Sequence, residues 1–242
     1  MKTNRFVESG SARIYCEISG GSDCGVPLVL LHGNSENCGI FEPQVEYFSK
    51  TRTVIALDSR GHGRSSFGAD ELSITNMAED VRAVLDALNV KTADLLGFSD
   101  GGNVALAFAL RYPSRLRSLI LSGANLSPGG VKWRVQAPIV ICYWFLSLQA
   151  PFSENARRKR QIFGLMVNQP HFTPEEIAAI TTPALVIAGE RDMIREEHTK
   201  LIHRSIPGSK LVIVPEADHF VSSRKPDVFN SIVDEFLKDA TK

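Results

Sequence analysis

The chain has 242 residues, of which 43% are hydrophobic and 22% are charged. That length and composition suit one globular domain with a sizeable core and room for a small insertion. Basic and acidic residues each number 27, so the formal net charge is zero. The basic excess typical of nucleic-acid-binding proteins is therefore missing, and we expect no nucleic-acid partner.

The N-terminal residues MKTNRFVESGSARIYCEISG lack the apolar core of a signal peptide. The longest apolar stretch, residues 137–148, contains Pro138 and is too short to cross a bilayer. We therefore expect a soluble, cytoplasmic protein with no membrane partner.

The cysteine positions indicate neither a disulfide bond nor a metal site. The four cysteines show neither a CxxC pair nor metal-ligand spacing: Cys16, Cys24, Cys38 and Cys142. Without a secretory signal, we expect free thiols. No metal and no cofactor is expected, and the oligomeric state is left open.

Short, continuously apolar runs predict buried parallel strands. They cover residues 27–32, 53–58, 93–98, 118–122, 184–189 and 211–214. Two earlier stretches, residues 5–9 and 13–18, alternate more between polar and apolar side chains. They are candidates for an antiparallel edge of the same sheet.

Helical patterns lie between these strands. In residues 74–88 the apolar side chains recur at spacings of three and four, which predicts one buried stripe. Further helices are predicted over residues 103–111, 196–206 and 227–238, with proline at or near one end of each. The alternation of strand and helix predicts an α/β fold, a mostly parallel sheet flanked by helices.

Residues 125–182 break this alternation. They hold an aromatic segment, a basic run at residues 157–160, and a helix start at Thr173-Pro174-Glu175-Glu176. We predict a small helical cap over residues 125–182, inserted between core segments 1–124 and 183–242.

Two side chains of the cap are candidates for substrate binding. Trp133 and Trp144 could roof an acyl pocket, or they could pack the cap against the core. The basic run is expected to be a solvated helix face, with anion or membrane binding as the alternative.

A G-x-S-x-G pattern carries the chemistry. Gly97-Phe98-Ser99-Asp100-Gly101 ends a predicted strand and opens a predicted helix, which is the context this pattern needs. Where a strand turns directly into a helix, the residue at the turn is strained. Its side chain is exposed at the carboxyl end of the strands. Ser99 is therefore the candidate nucleophile.

A serine hydroxyl needs a base, and the base needs an acid that orients it. His219 follows the last core strand and is the candidate base. Asp192 lies just past a buried strand and gives the order Ser, Asp, His, so it is favoured as the acid over Glu190 and Asp218.

A developing oxyanion requires preorganised donors. We expect the backbone N–H groups of Asp100, next to the nucleophile, and of Asn34, in the loop after the first parallel strand. His32 in the same loop is interpreted as a structural histidine that bonds loop backbone.

Several further motifs stand in the same order along the chain. They are His32-Gly33, a D-x-R-G-x-G-x-S turn at residues 58–65, GFSDGG at residues 97–102, Gly189 to Asp192, and Asp218-His219. Together they resemble the α/β-hydrolase superfamily, in the branch of serine hydrolases with a helical cap. Three segments, the Ser-Asp-Gly-Gly elbow, Ser122-Gly123-Ala124-Asn125 and Gly189-Glu190-Arg191-Asp192, are similar to the valacyclovir hydrolase (biphenyl hydrolase-like) and carboxylesterase group. We interpret the polar residues of the turn as structural.

The resemblance implies hydrolysis of a small carboxylic ester through an acyl-enzyme intermediate, without a cofactor. The same triad acting on an amide, a lactone or a C–C bond, or in perhydrolysis, stays open, because this fold hosts many chemistries. A hydrolase-derived receptor that binds a ligand with little turnover is the alternative from another class. A haloalkane dehalogenase would need a carboxylate at Ser99.

The side chain of Asp100 has two interpretations. It could line the pocket and favour a cationic group such as a substrate amine. Alternatively, it could bond free backbone N–H groups at the start of its helix.

Overall fold

A computed structural model describes residues 2–21 and 25–240. Within these residues, eight strands form one sheet in the order β1-β2-β4-β3-β5-β6-β7-β8. The strands are β1 (Lys2–Ser9), β2 (Ala12–Ser19), β3 (Leu28–Leu31), β4 (Val54–Leu57), β5 (Ala93–Phe98), β6 (Leu116–Ser122), β7 (Ala184–Gly189) and β8 (Lys210–Val214). Neighbours from β4 to β8 are parallel, while β1 and β2 form an antiparallel edge. The predicted parallel sheet and its antiparallel edge are confirmed.

The helices follow the predicted alternation. They are α1 (Glu42–Phe48), α2 (Ile74–Ala87), α3 (Asp100–Arg111), α4 (Trp133–Gln149), α5 (Glu154–Asn168), α6 (Pro174–Ile177), α7 (Glu196–Ser205), α8 (Val221–Arg224) and α9 (Pro226–Asp239). The sequence did not predict α1 and α8, because helices of one or two turns show too little periodicity to be recognised.

The apolar strands form a core on both faces of the sheet. In β3, Val29 and Leu31 pack on the side of α2 and α3, whereas Leu28 and Leu30 pack on the side of α1 and α9. Successive side chains of a strand point to opposite faces, so a strand buried on both sides is apolar throughout. Polar loops therefore gather at the carboxyl ends of the parallel strands.

The turn at residues 58–65 is held by its own side chains. The Asp58 carboxylate accepts hydrogen bonds from the Cys38 and Arg64 backbone N–H groups, at 2.7 and 2.8 Å. Arg60 forms a two-point ion pair with Asp80, at 3.0 and 2.6 Å, and both side chains are buried. The structural interpretation of this turn is confirmed.

Helices α4, α5 and α6 lie between β6 and β7. Helix α5 rests on the core, where Gln161 on the helix and Gln169 just past its end accept hydrogen bonds from the backbone N–H groups of Leu72 and Ile74. Helix α4 packs on α5 and buries none of its own residues. The predicted helix start is confirmed by a capping box at Thr173 that opens α6.

Cys16, Cys38 and Cys142 are free thiols, and Cys24 lies outside the described residues. Across residues 2–21 and 25–240, no helix is long and apolar enough to span a membrane.

Replacing Asp80 with alanine removes the buried partner of the Arg60 guanidinium and leaves only the exposed Asp70 carboxylate, 3.9 Å away. An interior charge that loses its buried partner is costly, so we expect the free energy of unfolding to fall by about 3–5 kcal/mol, measured by urea denaturation. The control is Glu196→Ala, which removes an exposed ion pair with Lys200 on α7 and should change stability far less. Equal losses in the two variants would contradict the importance of this buried pair.

Candidate active site

The turn from β5 into α3 places Ser99 at the carboxyl end of the sheet. Its backbone has φ 54° and ψ −120°, in the region that side chains disfavour. The Ser99 N–H donates to the Ser122 carbonyl at 2.8 Å, and the Ser99 carbonyl accepts from Gly102 and Asn103. Hydrogen bonds to β6 and to the first turn of α3 thus hold the strained residue in place.

Glycines make this turn possible. A Cβ added at Gly97 would lie 2.2 Å from the Gly101 carbonyl oxygen, and one at Gly101 would lie 2.1 Å from the Leu31 carbonyl oxygen. Gly102 faces the Ala124 side chain, where an added Cβ would be 2.8 Å away. The close approach of α3 to the sheet therefore excludes side chains at these positions.

Three predicted side chains meet at the carboxyl ends of the strands. The Ser99 Oγ lies 3.0 Å from His219 Nε2, and His219 Nδ1 lies 2.7 Å from Asp192 Oδ1. A carboxylate only accepts hydrogen bonds, so Nδ1 carries the proton and Nε2 is free to accept one from the serine. His219 and Asp192 are buried, and Asp192 Oδ1 also accepts from the Ile194 N–H at 2.9 Å.

The competing acids are engaged elsewhere. Glu190 accepts from the Glu216 backbone N–H at 2.8 Å. Asp218 pairs with Arg224 and accepts from the Phe220 N–H at 3.0 Å. Neither carboxylate bonds His219 within the described residues.

Two residues pack against His219 that the sequence analysis had given no role in the site. Gly123, at φ 62°, lies beneath the imidazole, where an added Cβ would be 2.7 Å from His219 Cε1. The Phe98 ring packs at 4.9 Å from the imidazole, centroid to centroid. A glycine after β6 and a phenylalanine in the G-x-S-x-G pattern carry no separate signal in one sequence.

The two predicted N–H donors lie on either side of the serine. Asp100 follows Ser99 directly, and a Cβ added at Gly33, next to Asn34, would lie 3.1 Å from Ser99 Cβ. Across residues 2–21 and 25–240, the backbone N–H groups of Asn34 and Asp100 donate to no other protein atom. Both are thus available to an oxygen at the site.

The Asp100 carboxylate is held by two amide side chains. Its Oδ2 accepts from Asn34 Nδ2 at 2.9 Å, and its Oδ1 accepts from Asn103 Nδ2 at 3.3 Å. The suggested bonds to helix N–H groups are not found in the described chain, so that alternative was wrong. Burial raises the pKa of Asp100, and the Asn34 and Asn103 amides and the nearby His62 and His219 oppose that rise.

The Asn34 amide also reaches the cap. Its Nδ2 donates to the Ile162 carbonyl of α5 at 2.8 Å, in addition to Asp100. The loop proposed to carry an oxyanion donor is thereby tied to both the cap and the serine turn. Sequence reasoning named the backbone of Asn34 but not this role of its side chain.

Two further ionisable groups line the loop after β3. His32 bonds the Gly33 carbonyl and the Ser59 N–H, which confirms its structural interpretation. Burial, with His62 nearby, lowers the pKa of His32 to about 4, so the ring stays neutral. Glu36, missed from the sequence, accepts from the Gly33 N–H at 2.9 Å, and burial raises its pKa.

The two cap tryptophans are placed differently. Trp133 is 72% exposed and Trp144 is 64% exposed. An open groove of about 700 Å³ is lined by Trp133, Ile141 and Arg195 among others, but not by Ser99. The structure therefore does not bring either indole to the serine.

The chain is similar in sequence to a known protein family and to several known proteins. The family model described as "alpha/beta hydrolase fold" matches residues 26–140. "Serine hydrolase BPHL" of Homo sapiens is 30% identical, covering 98% of this chain and 87% of that protein. A "2-hydroxymuconate semialdehyde hydrolase" of Pseudomonas putida is 28% identical, covering 89% and 88%.

A solved structure titled "Est816 as an N-Acyl homoserine lactone degrading enzyme" is also similar. It superimposes with a TM-score of 0.78 at 28% identity, covering 96% of this chain and 100% of that one. The likeness therefore extends over the helices between β6 and β7 as well as the sheet.

Replacing Gly123 with alanine should push the His219 imidazole away from Ser99. Because small misplacements of reacting groups are costly, we expect a fluorophosphonate to label Ser99 about 100-fold more slowly. Gly208→Ala is the matched control, since Gly208 has φ 69° with nothing within 4 Å of an added Cβ. It should lose only stability, about 1–2 kcal/mol. Undiminished labelling of the Gly123 variant would contradict this arrangement.

Proposed function

The chain belongs to the α/β-hydrolase fold family, and on that premise we propose that it is a serine hydrolase that cleaves small carboxylic esters through an acyl-enzyme. The observation that carries the proposal is the hydrogen-bonded chain from Ser99 through His219 to Asp192. A strained serine beside an oriented imidazole is the arrangement that acyl transfer needs.

In the first half of the proposed reaction, Ser99 Oγ attacks the ester carbonyl carbon while His219 Nε2 takes the hydroxyl proton. Asp192 stabilises the imidazolium that forms. The N–H groups of Asn34 and Asp100 hold the oxyanion, and each such donor is worth about 10²–10³ in rate. His219 then protonates the leaving alcohol, and the acyl group stays on Ser99.

In the second half, a water molecule takes the place of the alcohol. His219 Nε2 removes its proton as it attacks the acyl carbon, and the same oxyanion donors act again. Collapse of the intermediate returns the proton to Ser99 Oγ and releases the carboxylic acid. This sequence requires neither a metal nor an organic cofactor.

A lactone is the second candidate substrate. It is a cyclic ester, so the same steps open its ring, and one similar solved structure is titled as a lactone-degrading enzyme. The Pseudomonas putida relative is named for a different substrate, 2-hydroxymuconate semialdehyde. Membership of the family therefore does not determine which bond is cleaved, and an experiment has to decide it.

The proposed activity is tested with p-nitrophenyl acetate and butyrate, beside a panel of lactones. We expect turnover that Ser99→Ala abolishes, and labelling of Ser99 by a fluorophosphonate. Preferred turnover of lactones would select the second candidate. No turnover and no labelling would favour a ligand receptor over an enzyme.

Changing Asp192 to asparagine keeps the side-chain shape but removes the charge that orients His219. We expect kcat to fall by about 10⁴-fold, measured with p-nitrophenyl acetate. Asp218→Asn is the matched control one residue before the base, and it should retain most activity because its carboxylate pairs with Arg224. A larger loss in the Asp218 variant would reassign the acid.

We further infer that Asp100 supplies negative charge for a substrate amine. It is 8% exposed, directly follows Ser99, and has a second carboxylate, Glu36, nearby. Asp100→Ala should lower kcat/KM for amino-acyl esters roughly tenfold more than for plain acyl esters, because a charged hydrogen bond is lost. An equal loss on both ester classes would instead indicate that Asp100 acts only by holding Asn34.

A further inference from the structure

The outer surface of the cap concentrates apolar side chains that the proposed reaction does not use. Helix α4 buries none of its residues, although its composition is strongly apolar. Six large side chains on α4 and just past its end are more than half exposed: Trp133, Ile141, Trp144, Phe145, Leu148 and Phe152. We call these six side chains the cap face.

The cap face differs from the rest of the described surface. The other exposed large apolar side chains are each less than half exposed and lie on four separate elements: Phe6, Tyr47, Leu201 and Val228. Ile141, Phe145 and Leu148 follow one another at spacings of four and three, so they share one side of α4, and Phe152 lies three residues past the end of the helix. A contiguous exposed apolar surface of this kind marks an interaction site.

Positive charge accompanies the cap face. Residues 133–160 contain five basic side chains and one acidic one, in a chain whose net charge is zero. The acid, Glu154, pairs with Arg157 and Arg158 on its own helix. Arg134 at the start of α4 and Lys159 beyond its end are exposed and form no ion pair among the described residues. One unpaired cation therefore lies in the first turn of α4, and another lies on α5, the helix that packs against α4.

We propose that the cap face docks on the surface of an anionic phospholipid bilayer. Tryptophan and phenylalanine favour the boundary between headgroups and acyl chains, where one side of α4 would insert. Arg134 and Lys159 would then meet lipid phosphates, and each such cation adds to membrane affinity. The proposal does not depend on the reaction at Ser99.

The groove beside α4 fits the same partner. Its walls include Trp133 and Ile141 of the cap face, and Arg195 also lines it. The groove is open and mostly apolar, which suits a lipid acyl chain, and the Arg195 guanidinium, which also donates to the Gly129 carbonyl, supplies positive charge for an anionic headgroup.

A second copy of the chain suits the cap face less well. In a two-fold dimer the same patch meets itself, so the basic ends of α4 and α5 would face basic residues with only Glu154 to offset them. An anionic bilayer complements both the apolar stripe and its charge. The expectation of no membrane partner was based on net charge and on the length of the apolar stretch, and neither reports a local surface.

The test is flotation of the 242-residue protein with two kinds of vesicle, phosphatidylcholine alone and phosphatidylcholine with phosphatidylglycerol. We expect binding to the anionic vesicles that weakens as salt is added. Leu148→Ser with Phe152→Ser should weaken this binding about tenfold or more. The matched control, Leu201→Ser with Val228→Ser, should bind like the unmodified chain.

Charge is tested separately. Arg134→Gln and Lys159→Gln should each weaken binding to anionic vesicles about fivefold. Fluorophosphonate labelling of Ser99 and circular dichroism report whether every variant keeps its fold. Absence of binding to the anionic vesicles, or binding that the cap-face variants leave unchanged, overturns the proposal. A dimer in light scattering that the Leu148 and Phe152 changes dissociate, without vesicle binding, overturns it in favour of a second copy.

Discussion

The backbone of Ser99 is the constraint on which the site depends. At φ 54° a residue with a side chain is strained by about 1–2 kcal/mol, and the strain persists because neighbouring elements leave no relaxed alternative. Gly97 allows β5 to approach α3, and Gly101 allows α3 to approach β3, within distances that no Cβ permits. As a result, the Ser99 hydroxyl projects from the carboxyl end of β5, and the unbonded backbone N–H groups of Asn34 and Asp100 lie beside it.

The loops that carry Asp192 and His219 are held against each other in a similar way. The Arg191 N–H donates to the Ala217 carbonyl at 2.8 Å, joining the loop after β7 to the loop after β8. A Cβ at Gly189 would lie 2.2 Å from the Asp218 carbonyl oxygen, so this approach also excludes a side chain. The 2.7 Å contact between Asp192 and His219 is therefore set by backbone as well as by charge.

The cap is connected to both halves of the site. Lys132, the residue before α4, bonds the loop that carries Asp192, through its N–H to the Met193 carbonyl and its Nζ to the Asp192 carbonyl. Ile162 of α5 accepts a hydrogen bond from Asn34. Movement of these helices would disturb both the loop that carries Asp192 and the loop after β3. The outward side of the same cap is free for the docking we propose.

The sequence by itself determined the sheet, most of the helices, and the three side chains that meet at the edge. It could do so because buried parallel strands are continuously apolar, and because the elbow requires glycines at fixed spacing around Ser99. The close packing of Gly123 under His219, the Asn34 bridge and the exposure of α4 were decided only by tertiary structure. Each depends on which surfaces distant segments present to one another, and helix α4 is apolar on nearly every side, so its pattern alone could not say which side stays open.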